Sequence, residues 1–526
     1  MKILNQPKGH RRDSQPRPLI TTVCIPLAAL LQSACLVSAG NLEGAGAPKT
    51  ATIGSLFSPL SVVNNTAASA EIRFQFDGAA FSQITPVTRV LLAHFPVSAT
   101  ETVDLDLEQF HITTANTRLV AATESGEISI PQPPISLFRG TVVGKANSKV
   151  IFAISPKGMQ GIVEWPEEGY MFSPSAEEGR AASGEHVIFR QSDPRFRLPS
   201  LRPPLSVSDV VGYFAKDVPP GPKDSDGQSF HVCRLALECD YEFWTQFNDY
   251  SAALSYIYVL FGAIGDMYER DVQTKLALTY IRIWTTVNDP YSYVGGEPTG
   301  LNEFQNYWRG NHNPGQPGFV ERDVAHLLSS RGVGSYASEG VLCNYDEGFS
   351  ISGGNALLPT VAERIFHDLR FAGHEIGHNF NGHHTHCLIN PATGDWVDKC
   401  ATEGDGNQTV DCSTTPSSIM SYCHNCPGGE LNVLAQFDSV NIARINSHVA
   451  ASCLRLARTP CFVDWRNVSE TEEGTFAHPY NTMKEGIEAV LPYGTVSIAN
   501  GNYPERLTLW QPMTVTATGG VAVVGL

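Results

Sequence analysis

Basic residues are in short supply. The chain has 36 Lys and Arg against 53 Asp and Glu, a formal net charge of −17. That balance excludes a nucleic-acid binder held by phosphate contacts and favours a soluble protein kept apart by its own charge. Cysteine is absent from residues 40–229, so neither a disulfide nor a thiolate ligand operates there. Beyond the N-terminal leader no apolar run is long enough to span a bilayer, which excludes a membrane-spanning helix. Nothing in the composition fixes an oligomeric state. With 526 residues, 42% hydrophobic and 17% charged, the chain has ordinary material for packed cores, on the scale of about three or four domains.

The N-terminus has the form of an export signal. Lys8, Arg11, Arg12 and Arg17 precede an apolar run from Leu19 to Leu31, and Val37-Ser38-Ala39 offers a cleavage site before Gly40. Residues 1–39 are therefore expected to be a signal peptide, and the protein to be secreted, periplasmic or exposed at the cell surface. Ser33-Ala34-Cys35 places its leucine one position early for a lipoprotein site. Ten cysteines follow the leader, and an even number in an exported chain predicts disulfides. Cys387, Cys400, Cys412, Cys423 and Cys426 crowd one short segment.

Residues 40–192 read as β-rich: Ile72–Phe76 and Val103–Leu107 alternate in period two, Val150–Ile154 runs into a Pro-Lys-Gly turn, and no helical pattern stands out. Residues 193–229 have the proline, serine and charge content of a linker, with basic cleavage points at Arg195, Arg197 and Arg202. In 230–458, Ser251–Tyr268 has a helical apolar period and Leu276–Trp284 reads as a strand. Val324–Leu328 suggests a short helix, Val333–Cys343 a sheet-edge strand, and Val361–Phe380 and Val440–Ala451 helices. In 459–526 a helix is expected over Thr475–Pro492. Strands follow at Thr495–Ile498, Leu507–Leu509, Thr514–Ala517 and Val521–Val524, with Gly501-Asn502-Tyr503 between the first two.

The chemistry concentrates in His374-Glu375-Ile376-Gly377-His378-Asn379-Phe380-Asn381-Gly382-His383-His384. On an α-helix, His374 and His378 fall on one face and can aim both imidazoles at one ion. Catalytic zinc takes three protein ligands and keeps a fourth position for water. His384 completes the set once the chain turns back, with His383 as its competitor. Glu375, rotated about 100° from His374, suits a base better than a ligand. The helix must end soon after His378 for His384 to swing round, and Asn381, followed by Gly382, is of the type next best to glycine for a left-handed backbone. Gly373 and Gly377 weaken the helix and imply close packing against a neighbour. His367 and His386 are read as solvated or supporting groups.

This stretch resembles the metzincin metallopeptidases. A second mark agrees: Ser418-Ile419-Met420-Ser421-Tyr422-Cys423 resembles their Met-turn, in which a methionine, here Met420, lies beneath the imidazoles. Asp323–Leu328, Val341-Leu342-Cys343 and Gly373-His374-Glu375 most resemble the reprolysin (adamalysin) family over roughly 230–458. The metzincin spacing favours His384 as third ligand. The resemblance implies an α+β catalytic domain with a twisted, mixed five-stranded sheet, an active-site helix and one catalytic Zn2+. It further implies an edge strand that a peptide substrate extends, and a Cys343–Cys453 disulfide. Tyr422 matches a tyrosine near the metal in some branches, and is read either as an oxyanion donor or as a packed side chain. Thr385 stands where reprolysins often have aspartate. Calcium is not predicted, because Arg234 occupies the place of its carboxylate ligand, although Asp323 is present. Ser136–Gly144 resembles a reprolysin propeptide, with a folding or binding domain that stays attached as the alternative, and residues 40–229 lack the cysteine that silences many such enzymes. The tail resembles the opening of a right-handed parallel β-helix.

The expected function is that of an exported zinc endopeptidase of the EC 3.4.24 type. A catalytically silent adhesin or binding protein on the same scaffold is the alternative from another class. A gluzincin using Glu403 as a ligand is the alternative among peptidases.

Overall fold

The computed structural model describes residues 35–37, most of 50–192 and most of 230–525. The expected leader, apart from Cys35–Val37, and the expected linker lie outside the described residues, as does Glu403.

A mixed α/β sheet organises the second half of the chain. Its strands run in the order Tyr336–Ala337, Phe349–Ser352, Val324–Leu328, Phe230–Cys239 and Thr274–Trp284. All neighbours are parallel except the two-residue edge strand. Five is the number of strands the resemblance implies, but the sheet does not stop there. Thr113–Thr123 pairs in parallel with Thr274–Trp284, and Gly126–Ser129 folds back on it, so the N-terminal half supplies two further strands. Arg455–Ala457 pairs antiparallel with the start of the Phe230–Cys239 strand.

Val324–Leu328 is a strand, not the expected short helix, and all five residues are buried. A five-residue apolar run has no readable period, and a parallel strand covered on both faces needs none. The expected edge strand over Val333–Cys343 is reduced to Tyr336–Ala337. Past it the chain turns at Gly340, with φ +66°. The Gly340 and Val341 amides donate to the carbonyls of His378 (2.8 Å) and Asn379 (3.0 Å). The end of the motif helix needs donors for its last carbonyls, and this segment supplies them instead of extending the sheet.

Two helices cover the sheet beneath the site. The long helix Tyr250–Val272 starts on an Asp249 cap. The motif helix Val361–Asn379 starts on a Thr360/Glu363 capping box. They pack together, with the Tyr268 hydroxyl donating to the Gly373 carbonyl at 3.1 Å.

The first half is a ten-stranded, largely antiparallel sheet. Phe74, Phe95, Phe138, Phe152 and Phe172 fill one face. Leu137, Ile151, Ala153 and Met171, from the opposite face, join the same core as the long helix. Burial on both faces explains the unbroken apolar run Val150–Ile154. One short helix, Gly78–Ile84, interrupts a region where no helix was expected.

In the tail, Cys461–Val463, Thr495–Tyr503 and Thr514–Val524 stack in parallel. The helix is only Met483–Ala489, because its capping box sits at Thr482 and Glu485. Leu507 and Leu509 are irregular. Gly501-Asn502-Tyr503 belongs to a bulged strand rather than a link between strands, and Thr514–Val524 is one strand where two were expected. Cys35–Val37 pairs antiparallel with Ala522–Val524.

Among the described residues three disulfides form: Cys343–Cys453, Cys400–Cys423 and Cys412–Cys426. The expected disulfides are therefore present, but not every cysteine joins one. Cys233, Cys239 and Cys461 are buried thiols inside hydrophobic clusters, where a thiol packs as a small apolar group. No described helix is long and apolar enough to cross a membrane.

Candidate metal centre

The motif helix ends where the sequence requires a turn. Phe380 caps it, and Asn381 takes the left-handed conformation at φ +71°. The Asn381 amide donates to the His378 carbonyl and the Gly382 amide to the Gly377 carbonyl, each at 2.8 Å. This is the Schellman closure, with asparagine in the position glycine usually takes. A Cβ on Gly382 would stand 2.9 Å from the Gly377 carbonyl oxygen, so a side chain there would obstruct the closure. The chain then returns over the helix and delivers His384.

His374, His378 and His384 are all buried. The His378 Nε2 lies 3.1 Å from His374 Nε2 and 3.1 Å from His384 Nε2. The His374 Nδ1 donates to the Ile419 carbonyl and the His378 Nδ1 to the Gly382 carbonyl, both at 2.8 Å. A carbonyl can only accept, so these two rings carry their proton on Nδ1 and turn the lone pair of Nε2 inward. Lone pairs facing one another at this distance repel unless a cation lies between them. Nitrogens bound tetrahedrally at about 2.0–2.1 Å would be separated by roughly 3.3 Å, so the donor set fits one zinc-sized ion. Burial pushes the His374 pKa down to about 4 and holds His378 and His384 well below the usual range. Metal ligands must be neutral imidazoles, and that is the form burial favours.

His383 turns away: its Nδ1 lies 3.1 Å from Glu339 Oε2, and its amide donates to Asn441. His386, read as solvated or supporting, is buried, with its ring stacked 5.3 Å from that of His384. His367 pairs with Glu430 at 2.7 Å. Glu375 is buried on the motif helix beside His374.

Met420 is fully buried under the histidines' helix. A Cβ on Gly377 would lie 2.6 Å from the Met420 sulfur, whereas one on Gly373 would meet the Met267 methyl at 3.3 Å. The glycines therefore serve close packing, as their helix-weakening cost implied. The Tyr422 ring centroid lies 4.4 Å from that of His384 and 6.0 Å from that of His374.

Asp398 was not singled out in the sequence. Its carboxylate is buried and accepts from the Thr385 hydroxyl, from the Ser417 hydroxyl at 2.8 Å and from the Cys400 amide at 3.0 Å. The Thr385 amide donates to the Met420 carbonyl at 3.2 Å. The residue after His384 is thus tied both to the methionine turn and to a carboxylate thirteen positions on. Thr385 with Asp398 brings a carboxylate to the neighbourhood where reprolysins often have aspartate. No local pattern around Asp398 announces this. Arg234 binds Asp323 through its amide and guanidinium, both at 2.6 Å, at the place considered for calcium.

Residues 230–432 match the Reprolysin_5 model, described as metallo-peptidase family M12. This segment is similar to metallopeptidase family M12. The matched segment contains the three histidines, the glutamate and the methionine turn. No curated protein matches the chain. Among solved structures, the crystal structure of metalloproteinase-II from Bacteroides fragilis aligns over 76% of this chain and 99% of that one, at 11% identity and a TM-score of 0.39, a likeness too slight to build on.

Proposed function

We propose that the chain is an exported zinc-dependent endopeptidase, with residues 230–458 as its catalytic domain. The convergence of three buried imidazole nitrogens, two of them oriented by backbone carbonyls, carries this reading. His374, His378 and His384 would hold zinc, with Met420 as the apolar floor. When bound, zinc supplies a Lewis acid for the scissile carbonyl and acidifies water. Glu375 accepts the proton of the attacking water and returns it to the departing amide nitrogen, so it serves as base and then acid. The Tyr422 ring, lying against His374 and His384, keeps bulk water from the ligands, and its hydroxyl is the candidate donor to the developing oxyanion. A protein or peptide substrate lies along the short edge at Tyr336–Ala337 as an added strand. Net negative charge argues against nucleic acid as a partner. Export is supported by the leader and the three disulfides.

The test is Glu375→Gln, assayed for metal content and casein hydrolysis. Zinc stoichiometry should persist while turnover falls by about 10²–10⁴-fold. Full activity in that variant would remove Glu375 from the mechanism. Absence of any chelator-sensitive hydrolysis in the zinc-loaded wild type would favour the silent binding protein.

A further inference from the structure

The N-terminal half resembles a propeptide that is cut away, yet three independent features of its contact surface contradict detachment. The first is the long helix Tyr250–Val272. Every position from Ala253 to Gly265 is buried. A helix apolar all round needs cover on all sides. The catalytic sheet and the motif helix cover part of it. The ten-stranded sheet covers the rest, with Leu137, Phe110 and Ile151 so close that a Cβ on Gly262 would lie 3.2 Å from the first two and 3.5 Å from the third.

The second feature is backbone pairing. Arg118 to Ala122 pairs residue by residue with Tyr280 to Trp284. Beyond that ladder, the Leu278 amide donates to the Ile112 carbonyl at 2.6 Å and the Thr285 amide to the Ala122 carbonyl at 2.9 Å. Removing Thr113–Thr123 would bare the edge of a buried parallel strand. Such an edge invites aggregation.

The third is charge. Arg139 pairs with Glu269 at 2.7 Å and Lys149 with Asp266 at 3.1 Å. Arg282, with no exposed surface, is bound by Glu127 of the N-terminal hairpin. Withdrawing Glu127 takes one carboxylate from a buried guanidinium, an arrangement that costs more than the pair itself contributes.

We infer that residues 50–192 are a permanent half of the enzyme, held by the long helix and the Thr274–Trp284 strand, and that a cut within 193–229 leaves both pieces joined. The N-terminal strands join the sheet at the edge opposite Tyr336–Ala337, so the retained half and a substrate strand use different edges. This inference stands apart from the peptidase reading, since it concerns association rather than turnover.

The experiment places a site-specific protease sequence between residues 200 and 215 of the full chain, cuts the purified protein, and runs native gel filtration at micromolar concentration. Both pieces should co-elute at the mass of the uncut chain and part only in denaturant. Elution of the C-terminal piece by itself as a single folded species would overturn the inference. A companion variant, Leu137→Glu, is cut in parallel. It should lower the urea midpoint for release of the N-terminal piece relative to the cut wild type, and an unchanged midpoint would equally count against the proposed seam. Should that variant not fold uncut, serial dilution of the cut wild type gives the same readout: continued co-elution supports the inference, and separation at micromolar concentration refutes it.

Discussion

Replacing Gly377 with alanine sets helix propensity against packing at the floor of the candidate metal centre. A glycine inside a helix costs about 1 kcal/mol relative to alanine, so an isolated motif helix would gain from the change. In the folded protein the new methyl would stand 2.6 Å from the Met420 sulfur, 3.4 Å from its terminal carbon and 3.3 Å from Phe437. Heavy atoms in good contact sit at about 3.5–4.0 Å, so Met420 has to retreat by about 1 Å. Met420 is fully buried and its carbonyl is held by Thr385, so the retreat is overpacking, at a cost of about 1–3 kcal/mol. The propensity gain offsets part of this, leaving a net loss of about 1 kcal/mol. Gly373→Ala, one turn earlier, meets the Met267 methyl at 3.3 Å and Ile419 at 3.6 Å. A methionine end moves easily, so that variant keeps most of its gain. The same chemical change at two sites should therefore differ by about 2 kcal/mol, or roughly 4–8 °C in melting temperature for a domain of this size. Scanning calorimetry of metal-free protein measures it, and zinc titration should show about tenfold weaker binding only for Gly377→Ala. A Gly377→Ala protein that melts at or above Gly373→Ala, with zinc affinity intact, would refute the close contact with Met420.

Three further outcomes are expected. His384→Ala should lose zinc by more than the roughly 10–100-fold that removal of an outer partner costs. His383→Ala should retain full stoichiometry by atomic emission, and the reverse order would reassign the third ligand. Asp398→Ala removes an acceptor shared by two hydroxyls and an amide, so urea denaturation should show a loss of about 1–3 kcal/mol, with Asn restoring part of it; a neutral alanine variant would mean the carboxylate holds nothing in place. Burial pushes His186 and His312 down to about 4 and His326 to about 3, from an ordinary 6.5. Between those values the unfolded chain binds more protons, so stability is lost as pH falls from about 6.5 toward 4. Urea midpoints across that range should decline steadily, and a flat profile would contradict the neutral, buried state of these rings.

The candidate metal site was legible because its determinants are local. Four residues of helix put His374 and His378 on one face, and Asn381 with Gly382 made the turn that brings in His384. The glycines foretold close packing, though not that Met420 is what packs. Legibility failed where a partner lies far along the chain. Val324–Leu328 carries a run that suits either a helix or a covered strand, and only its neighbours Phe230–Cys239 and Phe349–Ser352 decide. The edge strand shrank because the carbonyls of His378 and Asn379 claimed its amides. Asp398 reaches Thr385 through tertiary folding alone.

The sequence by itself determined a helix with two histidines in register and an exit suited to left-handed backbone, since backbone sterics and helical period act over a few residues, whereas the choice of His384 over His383 rested on the metzincin spacing. Only the tertiary structure decided that strands from residues 113–129 complete the catalytic sheet and that the first half of the chain covers the long helix. Those contacts join residues more than a hundred positions apart, and an apolar side chain does not specify which distant surface will bury it.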